Sequence, residues 1–167
     1  MEQLNNENNN NNNKINDYIV FNELEINLLE QLEITFEKDN LITDDLLESF
    51  YFIYKNPLLE ALNQIDKHDL NNSSSSSSST NLLATCIKCE SSDRCIYQVK
   101  GSIGINYYLF KCLNFCSCSS FKYNVLNKNE YIYCKHIIIV KLLKAMNKIS
   151  LKHVKDTEFV ELIKQIH

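Results

Sequence analysis

The sequence predicts an α+β protein: an N-terminal helical segment, then a β-hairpin and a ligand-rich loop capped by helices. Three observations predict it. Apolar residues recur at helical spacing from Asp17 to Ile65. β-Branched and aromatic residues then crowd two short stretches on either side of the chain's only two glycines. Finally, four Cys and His side chains stand as two tight doublets, the second of them directly before a strongly aliphatic run.

The elements follow in order. Residues 5–13 are almost all Asn, and residues 1–14 read as a disordered tail, because they hold too little apolar area to offset the entropy of ordering. From Asp17 to Phe36 the stripe Phe21, Leu24, Leu28, Leu32 marks one helix face. Thr43 is a fair N-cap for a second helix, with Asp44 and Asp45 in the first turn, where the helix dipole favours negative charge. Leu46, Leu47, Phe50, Ile53 and Tyr54 give that helix a broad apolar face. Asn56-Pro57 should end it, and Pro57 can open a third helix through Leu58, Leu59, Ala61, Leu62 and Ile65. Residues 15–70 therefore form a helical segment, whose faces serve as core or dock a partner helix. The serine run within 71–81 reads as a disordered insertion.

Residues 82–167 carry the second texture. Cys95–Val99 and Ile105–Phe110 have strand composition, and Gly101 and Gly104 between them suit a tight turn, so a hairpin is expected over 94–111. Lys135–Lys148 reads as a helix, with Ile137, Ile138, Val140, Leu142, Leu143, Ala145 and Met146 on its apolar side. A last short helix is expected over Thr157–Ile166.

Composition bounds the function. At 167 residues one domain with a tail is expected, and an apolar fraction of 44% is ordinary for a globular chain. No run of eighteen apolar residues exists, so no membrane span is expected, and the polar start lacks the pattern of a secretory signal. Seven cysteines in a reducing compartment read as metal ligands or core residues rather than disulfides. The net charge of −4 hides an asymmetry. Residues 1–70 carry 4 basic and 15 acidic side chains, and residues 81–167 carry 13 and 6. The two halves either meet different partners or neutralise one another within one fold.

The doublets carry the chemistry. Cys116 and Cys118 stand one residue apart; fifteen residues later Cys134 and His136 do the same. Side chains two apart on extended backbone point to the same side, so each doublet is a claw. Together they supply three sulfurs and one nitrogen, the donor set of a closed tetrahedral zinc site. Four protein ligands leave no position for water or substrate, so the metal is structural and its binding is coupled to folding.

This pattern, C-x-C, fifteen residues, C-x-H, resembles the SWIM zinc finger. The resemblance extends to the small SWIM-domain subunits of the Shu complex. It rests on Arg94, Tyr97-Gln98-Val99 and Gly101, on Cys116-Ser-Cys118, Phe121 and Val125-Leu126, and on Cys134-Lys135-His136 before the aliphatic helix. It is strong over 94–146 and weaker over 40–66. Ser119 stands where the family often has proline. The resemblance implies a β-hairpin plus SWIM zinc knuckle capped by helices, with one structural zinc. It also implies a nuclear, non-enzymatic adaptor that pairs with a RecA-like ATPase paralogue, promotes recombinase filaments in homologous recombination and reaches single-stranded DNA through that complex. The chain has no G-x-x-x-x-G-K-[ST], so ATP hydrolysis would belong to the partner.

Other features carry weaker signals. Cys86-x-x-Cys89 with Cys95 and Cys112 could hold a second metal or remain thiols. His68, His153 and His167 lack partners at ligand spacing and are expected at the surface. Lys141, Lys144 and Lys148, with Lys135 near the same helix start, could meet phosphates or form a solvated helix face. Tyr107, Tyr108 and Phe110 could stack on bases or turn one face to the core. A direct DNA-binding finger of transposase-like origin is the alternative function. Catalysis finds no pair of titratable groups that marks a reaction centre, and a ubiquitin-ligase role would need a second ligand set.

Overall fold

The computed structural model describes residues 2–73, 82–101, 103–110, 114–164 and 166; for residues 2–19 and 71–73 it describes the backbone alone. Three helices come first: α1 (Glu2–Asp39), α2 (Asp44–Tyr54) and α3 (Asn56–Ser73). Helix α1 begins inside the segment that composition assigns to a disordered tail. Once a packed stretch has nucleated a helix, extending it costs little per residue, and asparagine lowers but does not abolish that propagation. Packing starts with Phe21 and continues through the buried Leu28 and Leu32. The expected stripe is corrected at one place. Leu24 lies 42% exposed, and its neighbour Glu25 is the buried residue at 4%. Both positions fit helical spacing from Phe21 to Leu28, and hydrophobicity alone favours the leucine; partners from three other parts of the chain favour the glutamate.

Thr43 caps α2, its Oγ1 accepting from the Leu46 N–H at 3.4 Å on extended backbone. Leu46, Phe50, Ile53 and Tyr54 are the buried face of α2. Lys55 takes a φ of 57°, and α3 starts at once with Asn56-Pro57. Leu58, Ala61 and Ile65 of α3 complete this part of the core. Helix α3 runs through Ser73 and so into the segment 71–81 expected as a disordered insertion; the rest of that segment, residues 74–81, lies outside the described ones.

The expected hairpin is part of a larger sheet. Its strands are β1 (Ala84–Cys89), β2 (Cys95–Lys100), β3 (Asn106–Phe110), β4 (Phe115–Cys116) and, after helix α4 (Lys135–Ala145), β5 (Ser150–Val154); α5 (Asp156–Lys164) ends the chain's described elements. The order is β4-β3-β2-β1-β5. Strands β2 and β3 pair antiparallel with Ile96 opposite Phe110 and Val99 opposite Tyr107. Gly104 makes the turn at a φ of 79°. At Gly101 a Cβ would come within 2.5 Å of the Tyr107 ring, so the close approach itself requires glycine. Strand β5 pairs parallel with β1, which makes the sheet mixed.

The sheet separates two cores. On one face Ala84, Val99 and Leu109 join α4 and the three N-terminal helices in the main core. On the other face Ile87, Cys89, Ile96 and Val154 pack with Phe159 of α5. None of the helices among the described residues is long and apolar enough to cross a membrane.

Candidate metal centre

A strand, the bend after it and one helix bring the two claws together. Cys116 ends β4, where it pairs with Leu109. Cys118 follows in the next bend, its Sγ accepting from the Phe121 N–H at 3.2 Å. Cys134 is the N-cap of α4, with extended backbone at φ −82° and ψ 163°, and its carbonyl accepts from the N–H groups of Ile137 and Ile138. His136 sits in the first turn of α4. The fifteen residues between the claws are more than a loop: Phe121–Asn127 form a π-helix, a wide turn that often marks a functional region. Phe121 turns inward and meets Phe115 edge-on, with ring centroids 5.5 Å apart.

The geometry fits one structural Zn²⁺. All four side chains are buried, and their ligand atoms lie within 4.8 Å of one another. Zinc–ligand lengths of about 2.3 Å to sulfur and about 2.0 Å to nitrogen give a tetrahedron with an S–N edge of about 3.5 Å. Cys116 Sγ and His136 Nδ1 stand 3.7 Å apart. The Tyr107 ring stacks on the imidazole at 4.2 Å and fixes its plane. Nδ1 is the nitrogen beside Cys116, while Nε2 is buried with no hydrogen-bond partner among the described residues. Electrostatics make the same demand. Thiols packed this closely cannot all ionise unless a cation offsets them. Hydrogen bonds from Cys116 and Cys134 hold Cys118 far below the usual thiol range. Hydrogen bonding to Cys118, then to Cys134, and burial push Cys116 far above it. A divalent cation at the centre favours thiolate at every sulfur.

A second buried polar centre adjoins the first and was not visible in sequence. The Glu25 carboxylate accepts from Tyr54 Oη at 2.6 Å, from Tyr133 Oη at 3.4 Å and from Lys141 Nζ at 2.9 Å. The Lys141 ammonium also lies 4.7 Å from the centre of the Tyr133 ring. Burial first, and then the Glu25 charge, raise the Tyr54 hydroxyl well above the usual phenol range, so it remains a donor. Tyr133 serves this centre and Cys134, the next residue, serves the other.

The remaining candidates resolve physically. Of the lysine stripe, Lys135 pairs with Glu60 at 3.2 Å, Lys141 with Glu25, and Lys148 with Asp69 at 3.1 Å. Three lysines of the basic half thus pair with carboxylates of the acidic half across the α1–α3 and α4 contact, and only Lys144 of the stripe makes no ion pair among the described residues. Tyr107 is taken up by His136, and Tyr108 Oη accepts from Gln98 Nε2 at 3.4 Å. Cys86 and Cys89 lie three apart in β1, on opposite faces, so they cannot act as one knuckle. Cys89 instead donates its thiol to Asp156 Oδ1 at 2.9 Å. Cys95 is in β2, while Cys112 and His167 lie outside the described residues. His153 is exposed on β5; His68 is more enclosed than expected, with its Nδ1 3.8 Å from Asp69.

Comparison with known proteins agrees with this centre. The SWIM zinc finger family matches residues 107–145, which contain all four donors. The chain is 31% identical over 147 residues to a zinc finger SWIM domain-containing protein 7 homolog of Dictyostelium discoideum, covering 87% of this chain and 85% of that protein. It is 30% identical over 136 residues to zinc finger SWIM domain-containing protein 7 of Danio rerio, covering 81% and 86%. The Homo sapiens protein of the same name is 26% identical over 136 residues, with the same coverage. No solved structure matches the chain.

Proposed function

Because this chain belongs to the zinc finger SWIM domain-containing protein 7 family, we propose that it is a non-enzymatic adaptor, a zinc-built platform for a RecA-like ATPase paralogue. In this reading the pair promotes assembly or stability of recombinase filaments in nuclear double-strand break repair by homologous recombination. Single-stranded DNA is reached through the complex rather than gripped by this chain alone.

One observation carries the reading: the donors form a closed set. Four buried protein ligands complete a tetrahedral zinc and leave no coordination position for water or substrate, so the metal holds shape. The internal pairing of Lys135, Lys141 and Lys148 adds support, since a lysine already matched to a carboxylate contributes little to phosphate binding.

The test is native purification from the protein's own cells, with mass spectrometry of what accompanies it. A stoichiometric RecA-like ATPase is the expected result. A chain that purifies alone and binds single-stranded DNA with a steep salt slope is instead a direct DNA-binding finger, and the adaptor reading fails.

A further inference from the structure

An open groove of about 430 Å³ lies between α1 and α4, over the edge of the sheet. Its walls are single helix faces. Ile26, Leu29, Glu30 and Glu33 of α1 stand at i, i+3, i+4 and i+7. Val140 and Lys144 of α4 face them, and Tyr97 and Leu109 lie on the floor. The floor is apolar, and Ile26 on the rim is 53% exposed. Such a size is in the range of about 300–1,000 Å³ in which proteins seat ligands and side-chain anchors.

The charges at the rim identify the occupant. Along α4, Lys135, Lys141 and Lys148 each pair with a carboxylate of α1 or α3. At the groove that matching stops. Glu30 and Glu33 on one wall and Lys144 on the other make no ion pair among the described residues. They face the groove with opposite signs on opposite walls, which a neutral small molecule would leave unused.

We propose that this groove seats a short amphipathic segment of a protein partner. Its large apolar side chains rest on the floor, a basic residue faces Glu30 and Glu33, and an acidic residue faces Lys144. Apolar anchors provide the affinity, and the two opposed charges fix the direction in which the segment lies. The proposal rests on the adaptor reading and names the surface that reading leaves open.

The experiment uses the full chain in its own cells, with a photo-reactive residue in place of Ile26. A cross-link to a segment of the co-purifying ATPase with large apolar residues flanked by one basic and one acidic position is the expected result. Separately, Glu30→Lys with Glu33→Lys, and Lys144→Glu, should each reduce recovery of that ATPase about tenfold or more, while zinc content and melting stay unchanged. The exposed Lys155→Glu serves as a control and should retain the partner. Full recovery with both charge reversals, and no partner cross-link from position 26, would overturn the groove and leave the adaptor reading standing. A cross-link to a second copy of the chain also overturns it. If no ATPase accompanies even the unaltered chain, both readings fall. The cross-link needs no charge reversal, so the proposal stays testable even if a reversed variant fails to fold.

Discussion

The two buried polar centres differ in how they are held together. The Cys116, Cys118, Cys134 and His136 cluster is a set of like donors that repel unless a cation joins them. The Glu25 centre is already matched: one carboxylate, one ammonium and two hydroxyl donors. The first therefore makes the fold around β4 and α4 depend on an ion. The second ties α1 and α2 to α4 with no ion at all, at the cost of burying a charge pair. They meet at Tyr133-Cys134, so the helical segment docks on backbone that the metal positions. The comparison teaches that one boundary can be built by two devices with different sensitivities, one to chelators and one to loss of a single side chain.

The largest effect should come from breaking the first centre. Structural zinc sites of this kind have apparent binding energies on the order of 10–16 kcal/mol near pH 7. Cys134→Ser, or a strong chelator, should abolish zinc retention and expose the amides of β3, β4 and α4 to hydrogen exchange. Partner capture should be lost with it. A variant that loses zinc and keeps its partner would remove the platform idea.

Breaking the second centre should cost less. Lys141→Ala leaves the Glu25 carboxylate buried with only two neutral donors, and about 3 kcal/mol of stability should be lost, the low end for one partner of a buried pair. Zinc content should be unchanged in urea titrations followed by metal analysis. Replacing both members, Glu25→Leu with Lys141→Met, should recover part of that loss, because no charge then remains buried. A double variant less stable than Lys141→Ala would show that the pair contributes net stability.

Tyr54→Phe sharpens the comparison further. It removes the 2.6 Å hydrogen bond to Glu25 and preserves the ring that stacks on Phe50. A loss of about 1.5–3 kcal/mol is expected for a hydrogen bond to a charged group. An unchanged denaturation midpoint would mean that Lys141 and Tyr133 satisfy the carboxylate without it.

Much of the molecule follows from short stretches of sequence. The claws are legible because each is two residues wide, so local geometry alone aims the donor pair. Thr43 as a cap, Asn56-Pro57 as a break and the glycines between β2 and β3 are legible for the same reason. The resemblance to SWIM fingers rests on those same local signatures. Strands β1 and β5 were not legible. Ala84–Cys89 is a cysteine-rich stretch and Ser150–Val154 a largely exposed one, and neither has a strong alternation; pairing with distant neighbours makes them strands. Within α1, only Tyr54, Tyr133 and Lys141 decide that Glu25 turns inward in place of Leu24. Likewise, the lysines of α4 look like a phosphate-binding stripe until α1 and α3 bring carboxylates to them. By itself the sequence determined the donor set, the cap of α2, the break between α2 and α3 and the hairpin turn, because each is fixed by backbone preferences over a few residues. Only the tertiary structure decided which charges are spent internally and which face the groove, because charge pairing depends on distance in space and the partners lie 75 or more residues apart in the chain.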